Sequence, residues 1–132
     1  MQATKVAVAG TFNVLHEGHK ALLDRAMWMA DELYIGITSD RMASENRSEI
    51  IPYYLRRKAI EDYVISKGEI ATIFEINDIY GPPEIMDDID ILVVSEETKE
   101  NGKKEEIKKK KNILLIIWVL AVLMMIYAIF FF

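Results

Sequence analysis

The chain contains two histidines, His16 and His19, three residues apart in the run Gly10-Thr11-Phe12-Asn13-Val14-Leu15-His16-Glu17-Gly18-His19. At the start of a helix, that spacing lets both imidazoles address one spot. Helix N-termini already favour anions there, through free N–H groups and the positive end of the dipole. The chemistry this suggests is the binding and neutralisation of phosphate oxygens. Gly10 ends a strand without a side chain, so the backbone can approach a phosphate closely. Thr11 offers a hydroxyl and the amides that follow it as donors. Phe12 and Leu15 are apolar and suited to anchoring the loop, and Gly18 keeps the approach open. A metal site is a weaker reading, because histidines at i,i+3 need further ligands and the chain has no cysteine. The zinc-protease pattern spaces its histidines four apart, which these do not match.

Such a loop needs a strand before it and a helix after it, and the sequence supplies both. Residues 5–9 are a short apolar run of the kind seen in buried parallel strands. Apolar residues then recur at Ala21, Leu22, Leu23, Ala26, Met27 and Ala30, which predicts an amphipathic helix over 18–30. Residues 33–38 read as a second buried strand. Pro52 suits a helix start, with Leu55, Ala59, Ile60, Tyr63 and Val64 as its inward stripe and Gly68 at its close. Residues 72–76 and 89–95 read as third and fourth strands around a Gly81-Pro82-Pro83 turn, and 99–111 as a charged surface helix. This order predicts an α/β domain with a doubly wound parallel sheet. Ligands of such sheets bind beyond the carboxyl ends of the strands, so chemistry is expected in the loops 10–19, 38–48, 77–83 and 95–98.

Composition narrows the function classes. Without cysteine, disulfide scaffolds, thiol nucleophiles and cysteine-ligated zinc or iron–sulfur sites are excluded. Residues 1–98 carry 9 Lys+Arg against 18 Asp+Glu, and 99–111 carry 7 Lys against 3 Glu. A body so acidic argues against nucleic acid as a partner, which calls for a basic face. The hydrophobic content of 52% is uneven, because residues 113–132 are apolar throughout. No basic segment followed by an apolar run opens the chain, so a cytoplasmic domain is expected.

The Gly-Thr-Phe loop with His16-Glu17-Gly18-His19 resembles the HxGH signature of the nucleotidyltransferase superfamily, in which the two histidines bind nucleotide phosphates and stabilise charge at the α-phosphorus. Further pieces narrow the resemblance. Ile37-Thr38-Ser39-Asp40 with Met42-Ala43, Ile51-Pro52-Tyr53 leading to Arg56-Arg57, Ile79-Tyr80-Gly81-Pro82, and Val93-Val94-Ser95-Glu96-Glu97-Thr98 are similar to the archaeal type of phosphopantetheine adenylyltransferase. The likeness runs in order from Lys5 to Lys111, which defines a nucleotidyltransferase-like domain over 1–111 with a Rossmann-like fold. It implies adenylyl transfer from ATP to 4′-phosphopantetheine, giving dephospho-coenzyme A and pyrophosphate. It also implies magnesium, held mainly through the nucleotide phosphates rather than a protein cage. His16 and His19 would be catalytic, and Gly10, Thr11, Phe12 and Gly18 would line the phosphate site. Ser95, Glu96 and Thr98 would touch adenine or ribose. Thr11, Arg41 and Arg47 are the candidates for the substrate phosphate, whereas Arg56 and Arg57 are expected to form surface salt bridges. Asp40 is expected to cap a short helical turn.

Two departures from the family stand out. Asn13 takes a position where the family has an acidic residue. The family's fifth strand and Ile-Ser-Ser-Thr-Arg-Ile-type loop, which binds the β- and γ-phosphates, has no counterpart after Thr98. Losing those donors is expected to weaken triphosphate binding, at about 1.5–3 kcal/mol per charged hydrogen bond. In their place stands a segment over 112–132. Its twenty apolar residues, at about 1.5 Å each, would span roughly 30 Å, which makes a candidate transmembrane helix, with the preceding lysines as its cytoplasmic flank. The alternative is that 112–122 form the fifth strand, since Leu-Leu-Ile-Ile-Trp-Val has the continuous apolar look of a central parallel strand. The competing functions are another adenylyl- or cytidylyltransferase, or a membrane-tethered inactive nucleotide-binding module.

Overall fold

The computed structural model describes residues 3–45 and 47–93, together with the backbone of 114–116. Strand β1 (Lys5–Gly10) leads into helix α1 (Glu17–Met29), strand β2 (Glu32–Thr38), the short helix α2 (Asp40–Ser44), helix α3 (Tyr53–Ser66) and strand β3 (Ala71–Ile76). A single turn of helix, α4 (Pro83–Met86), precedes strands β4 (Ile91–Val93) and β5 (Leu114–Ile116). The strands form one sheet in the order β3-β2-β1-β4-β5, and every neighbouring pair is parallel.

This order places the turning point of the topology beside β1. The chain steps outward from β1 to β2 to β3, then returns across the sheet to lay β4 against the other side of β1, with Val8 opposite both Ile35 and Val93. The pleat of β1 divides its side chains between two layers. Val6 and Val8 join Leu22, Leu23 and Ala26 of α1 and Ile60 and Val64 of α3 in the larger core cluster. Ala7 faces the other way, into a smaller cluster with Met86, Ile89 and Leu92. Helices therefore cover both faces, α1 and α3 on one and α4 on the other. The predicted doubly wound α/β arrangement is the observed one through β4.

Two expectations need correction. The inward stripe of α3 is Arg56, Ile60 and Val64, whereas Leu55 is 45% exposed. The apolar period was real, but the helix is turned so that an arginine opens its buried face. The tail departs too. Leu114–Ile116, read above as part of a membrane-spanning helix or, alternatively, of a fifth strand over 112–122, form a strand in register with β4, Ile91 opposite Leu114 and Val93 opposite Ile116, so the strand alternative holds for these residues. A continuous apolar run has no periodicity to separate a helix from a fully buried parallel strand, and here the sheet captures it. No helix among the described residues is long and apolar enough to cross a membrane. The proposed charged helix over 99–111 and the remainder of the tail lie outside the described residues.

Candidate active site

At the carboxyl end of β1 the chain turns through a bend that only a few side chains tolerate. Phe12 has φ of +50°, the one non-glycine residue in the left-handed region among those described. This conformation folds its ring back over Gly10, where a Cβ would meet the Phe12 ring at 3.2 Å. The missing side chain of Gly10 leaves room for the Phe12 ring. Phe12 itself is buried and belongs to the larger core cluster. It supports the site from below.

The loop then reaches α1. His16 is its N-cap, and its Nδ1 accepts the backbone N–H of Gly18 at 3.1 Å and of His19 at 3.3 Å. Two of the amides expected to greet an anion are therefore already bonded. Accepting at Nδ1 fixes the neutral ring as the Nε2–H tautomer, with that donor on the side away from the helix backbone. The His16 and His19 rings stack, centroids 3.7 Å apart and planes 17° from parallel. Phe12 meets the His19 ring edge-on at 5.2 Å. The two imidazoles do converge, as their spacing predicted, but the anion would meet imidazole in place of the Gly18 and His19 amides. Gly18 is buried between them in sequence.

Beside this pair, the ends of β1 and β2 are joined by a hydrogen bond from the Thr38 hydroxyl to the Thr11 hydroxyl, 3.0 Å long. Asn13 ties the loop to the chain before α3: its Nδ2 donates to the Glu49 carbonyl at 3.2 Å, and its Oδ1 accepts the Ile51 N–H at 2.8 Å. An amide can do both at once, which a carboxylate cannot.

The residue that sequence reasoning misplaced is Arg56. It is 1% exposed, the one buried charged residue among those described. Its Nε donates to the Ile51 carbonyl at 2.7 Å, and its Nη1 to the carbonyls of Thr11 and Thr38, both at 2.9 Å. Its Nη2 donates to Asp40 Oδ1 at 2.7 Å, a carboxylate that also accepts the Tyr53 N–H at 2.9 Å. The Arg56 side chain is fully buried while Asp40 is 58% exposed, so water screens the carboxylate and the three main-chain carbonyls do most to hold the guanidinium. The signal available in the sequence was its place at i−4 from Ile60, on the face that Val64 continues. Asp40 is the first residue of α2 and not its cap, which is Ser39.

Arg41 and Arg47, the candidates for the substrate phosphate, lie on and after α2. Arg41 is occupied by Glu45 at 3.4 Å and by the Asn77 carbonyl, so it braces α2 against the end of β3. Arg47 is exposed on the segment after α2. Arg57 pairs with Glu61 on the surface of α3, as expected, and that hydrogen bond, with a second that Arg57 Nη1 donates to the Tyr53 hydroxyl oxygen, raises its pKa above the ordinary guanidinium value. Ser95, Glu96 and Thr98 lie outside the described residues. Among the described residues no group of three or more His, Asp or Glu is placed to hold a metal ion. The donor set at the loop is hydroxyls and imidazoles, which suits phosphate oxygens. A magnesium ion arriving with a triphosphate would be held there by phosphate and water, with these side chains bonding to the remaining oxygens.

A parallel sheet with its turning point beside a histidine-capped helix, and hydroxyls at the adjoining strand ends, defines a Rossmann-like α/β domain. The cytidylyltransferase-like family model matches residues 7–125, and the chain belongs to that family. It is 42% identical over 99 residues to a phosphopantetheine adenylyltransferase from Archaeoglobus fulgidus, covering 73% of this chain and 66% of that protein. A protein of the same name from Methanosarcina mazei is 39% identical, over 71% of this chain and 63% of that protein. The chain thus spans just under two thirds of the length of these relatives. Among solved structures, a protein of unknown function from Archaeoglobus fulgidus superposes with a TM-score of 0.78 at 36% identity, covering 86% of this chain and 88% of that one. A lipopolysaccharide core biosynthesis protein from Thermoplasma volcanium shares the fold, with a TM-score of 0.72 at 21% identity over 89% of this chain and 97% of that one.

Proposed function

We propose that the chain transfers an adenylyl group from ATP to 4′-phosphopantetheine, releasing pyrophosphate and forming dephospho-coenzyme A. The observation that carries this reading is the stacked His16–His19 pair at the N-terminus of α1, beside the Thr11 hydroxyl. The relatives with that activity in their names supply the substrate class. The nucleophile is a phosphate monoester, already anionic near neutral pH because its second pKa is about 6, so no general base is required. Catalysis then consists of placing the attacking oxygen in line with the α-phosphorus and stabilising charge on the equatorial oxygens. His16 donates from Nε2 and His19 from the adjoining ring. Thr11 uses its own hydroxyl hydrogen toward the incoming phosphate while it accepts from Thr38. Pyrophosphate leaves as the new phosphoanhydride bond forms.

The test is pyrophosphate release from ATP and 4′-phosphopantetheine in the presence of magnesium. Turnover should fall at least a hundredfold in His16→Ala and in His19→Ala, in the range for removing one stabilising donor. Turnover indifferent to both changes would sink the assignment. The family description also covers cytidylyl transfer, and competition between CTP and ATP in the same assay separates the two chemistries.

A further inference from the structure

We propose that Arg56 is a positioning residue that holds the 11–19 loop in its anion-receiving shape, acting through the Thr11 carbonyl and the left-handed turn at Phe12. Thr11 directly follows β1 and Thr38 is the last residue of β2, so their carbonyls stand at the carboxyl edge of the sheet. Arg56 Nη1 reaches both at 2.9 Å from beneath the site. A planar guanidinium can do this while its Nε holds Ile51 and its Nη2 holds Asp40, which an ammonium cannot. With the Thr11 carbonyl captured, the next residue completes the bend at φ of +50°. Few side chains persist in that region unless their surroundings enforce it.

The consequence runs through three rings. The bend turns Phe12 over Gly10 and edge-on to His19, and His19 stacks on His16. A continuous line of contacts runs from Arg56 through the Thr11 carbonyl and the Phe12 ring to both imidazoles. A role confined to stabilising the fold would be served by the Ile51 and Asp40 contacts alone. The bonds to the loop carbonyls are what tie Arg56 to the site. This inference rests on reading the histidine pair as the phosphate-facing group.

Two histidines give two sets of imidazole C–H signals, so 1H–13C NMR reads the ring cluster directly. Wild type, Arg56→Lys and Asp40→Asn should be compared alone and during titration with Mg·ATP. In Arg56→Lys the core methyl signals should keep their dispersion while the His19 C–H signals move, as the ring loses its fixed place against Phe12. The dissociation constant for Mg·ATP should rise about tenfold, the size of one lost hydrogen bond. Asp40→Asn keeps an acceptor for Nη2 without the charge, and should move the same signals in the same direction by less. If Arg56→Lys does not fold, Asp40→Asn decides the matter. A folded variant whose His19 signals stay where the wild type has them overturns the proposal. Wild-type signals that ignore Mg·ATP would instead remove the adenylyl-transfer reading, and the His19 comparison would still judge Arg56.

Discussion

The Thr38 hydroxyl donates to the Thr11 hydroxyl across 3.0 Å, joining the carboxyl ends of two adjacent parallel strands. Arg56 Nη1 also approaches the Thr38 oxygen, at 3.4 Å, which favours Thr38 as the donor of the pair, and Thr11 is the less buried of the two. One threonine orients the other.

Substituting the two should therefore separate support from contact. Thr38→Val removes the orienting donor and should cost about 1 kcal/mol in urea unfolding, the net worth of an ordinary hydrogen bond. Its effect on turnover should be several-fold. Thr11→Val removes the group proposed to face the phosphate, so it should cost more in turnover than Thr38→Val for a similar stability loss. Equal kinetic losses would show that Thr11 has no role of its own.

His16 caps α1, and the proposed function gives it a second duty that mutation can separate from the first. As N-cap of α1 it satisfies two backbone N–H groups, and losing a cap costs about 0.5–2 kcal/mol. His16→Ala should lower both stability and turnover. His16→Asn restores a capping acceptor and should recover most of the stability while leaving turnover at the alanine level. Thermal unfolding beside a pyrophosphate assay checks this, and turnover returning with asparagine would assign the histidine to capping alone.

Gly36 sits mid-way along β2, where an added Cβ would lie 2.5 Å from Ile76 Cδ1 and 2.9 Å from the Phe74 ring. Both neighbours belong to β3. Gly36→Ala should destabilise by about 1–3 kcal/mol through overpacking, measured as a lower urea midpoint with an unchanged slope. Ile76→Val in the same chain should return part of that loss.

Tyr63 links α3 to α1 by donating to Asp24, with Lys20 and Lys67 over its ring at 5.7 and 5.4 Å. Burial, then the Asp24 bond and the Asp24 and Glu17 charges, push its pKa above the ordinary 10.0. Above that pH the unfolded chain releases a proton that the folded chain retains, so stability falls as pH rises. Tyr63→Phe should flatten this decline between wild type and variant, at a cost near neutrality of about 1 kcal/mol or less. An identical alkaline slope in both proteins would count against the assignment.

What could be read from the sequence follows from what leaves a periodic mark. Val6, Val8, Leu22, Leu23 and Ala26 do, and β1, α1 and β2 lie within a residue or so of their expected bounds. The histidine pair was legible because spacing on a helix start determines where two side chains meet. Arg56 was not, because a charged residue at a helical position is nearly always solvated, and its partners are main-chain carbonyls that no side-chain pattern encodes. The turn at Phe12 was hidden for a related reason: its φ is imposed by surroundings against its own preference. Leu114–Ile116 were ambiguous in principle, since an apolar run fits a parallel strand and a lipid-facing helix equally well until a partner strand is known.

The central place of β1 in the sheet bears on the order in which the molecule can assemble. The Lys5 N–H bonds the Asp90 carboxylate, 85 positions away, and Val6 lies opposite Ile91. β1, which precedes every other described strand, is therefore among the last of them to be closed in on both edges. At about 5–20 residues per second, a ribosome takes roughly 4–17 s to deliver that partner. Meanwhile β1 can pair with β2 on one edge, with α1 covering one face, while its other edge stays open. Nascent chains halted before residue 90 should consequently be more exposed to strand-edge aggregation and to proteases than chains released after β4 has emerged.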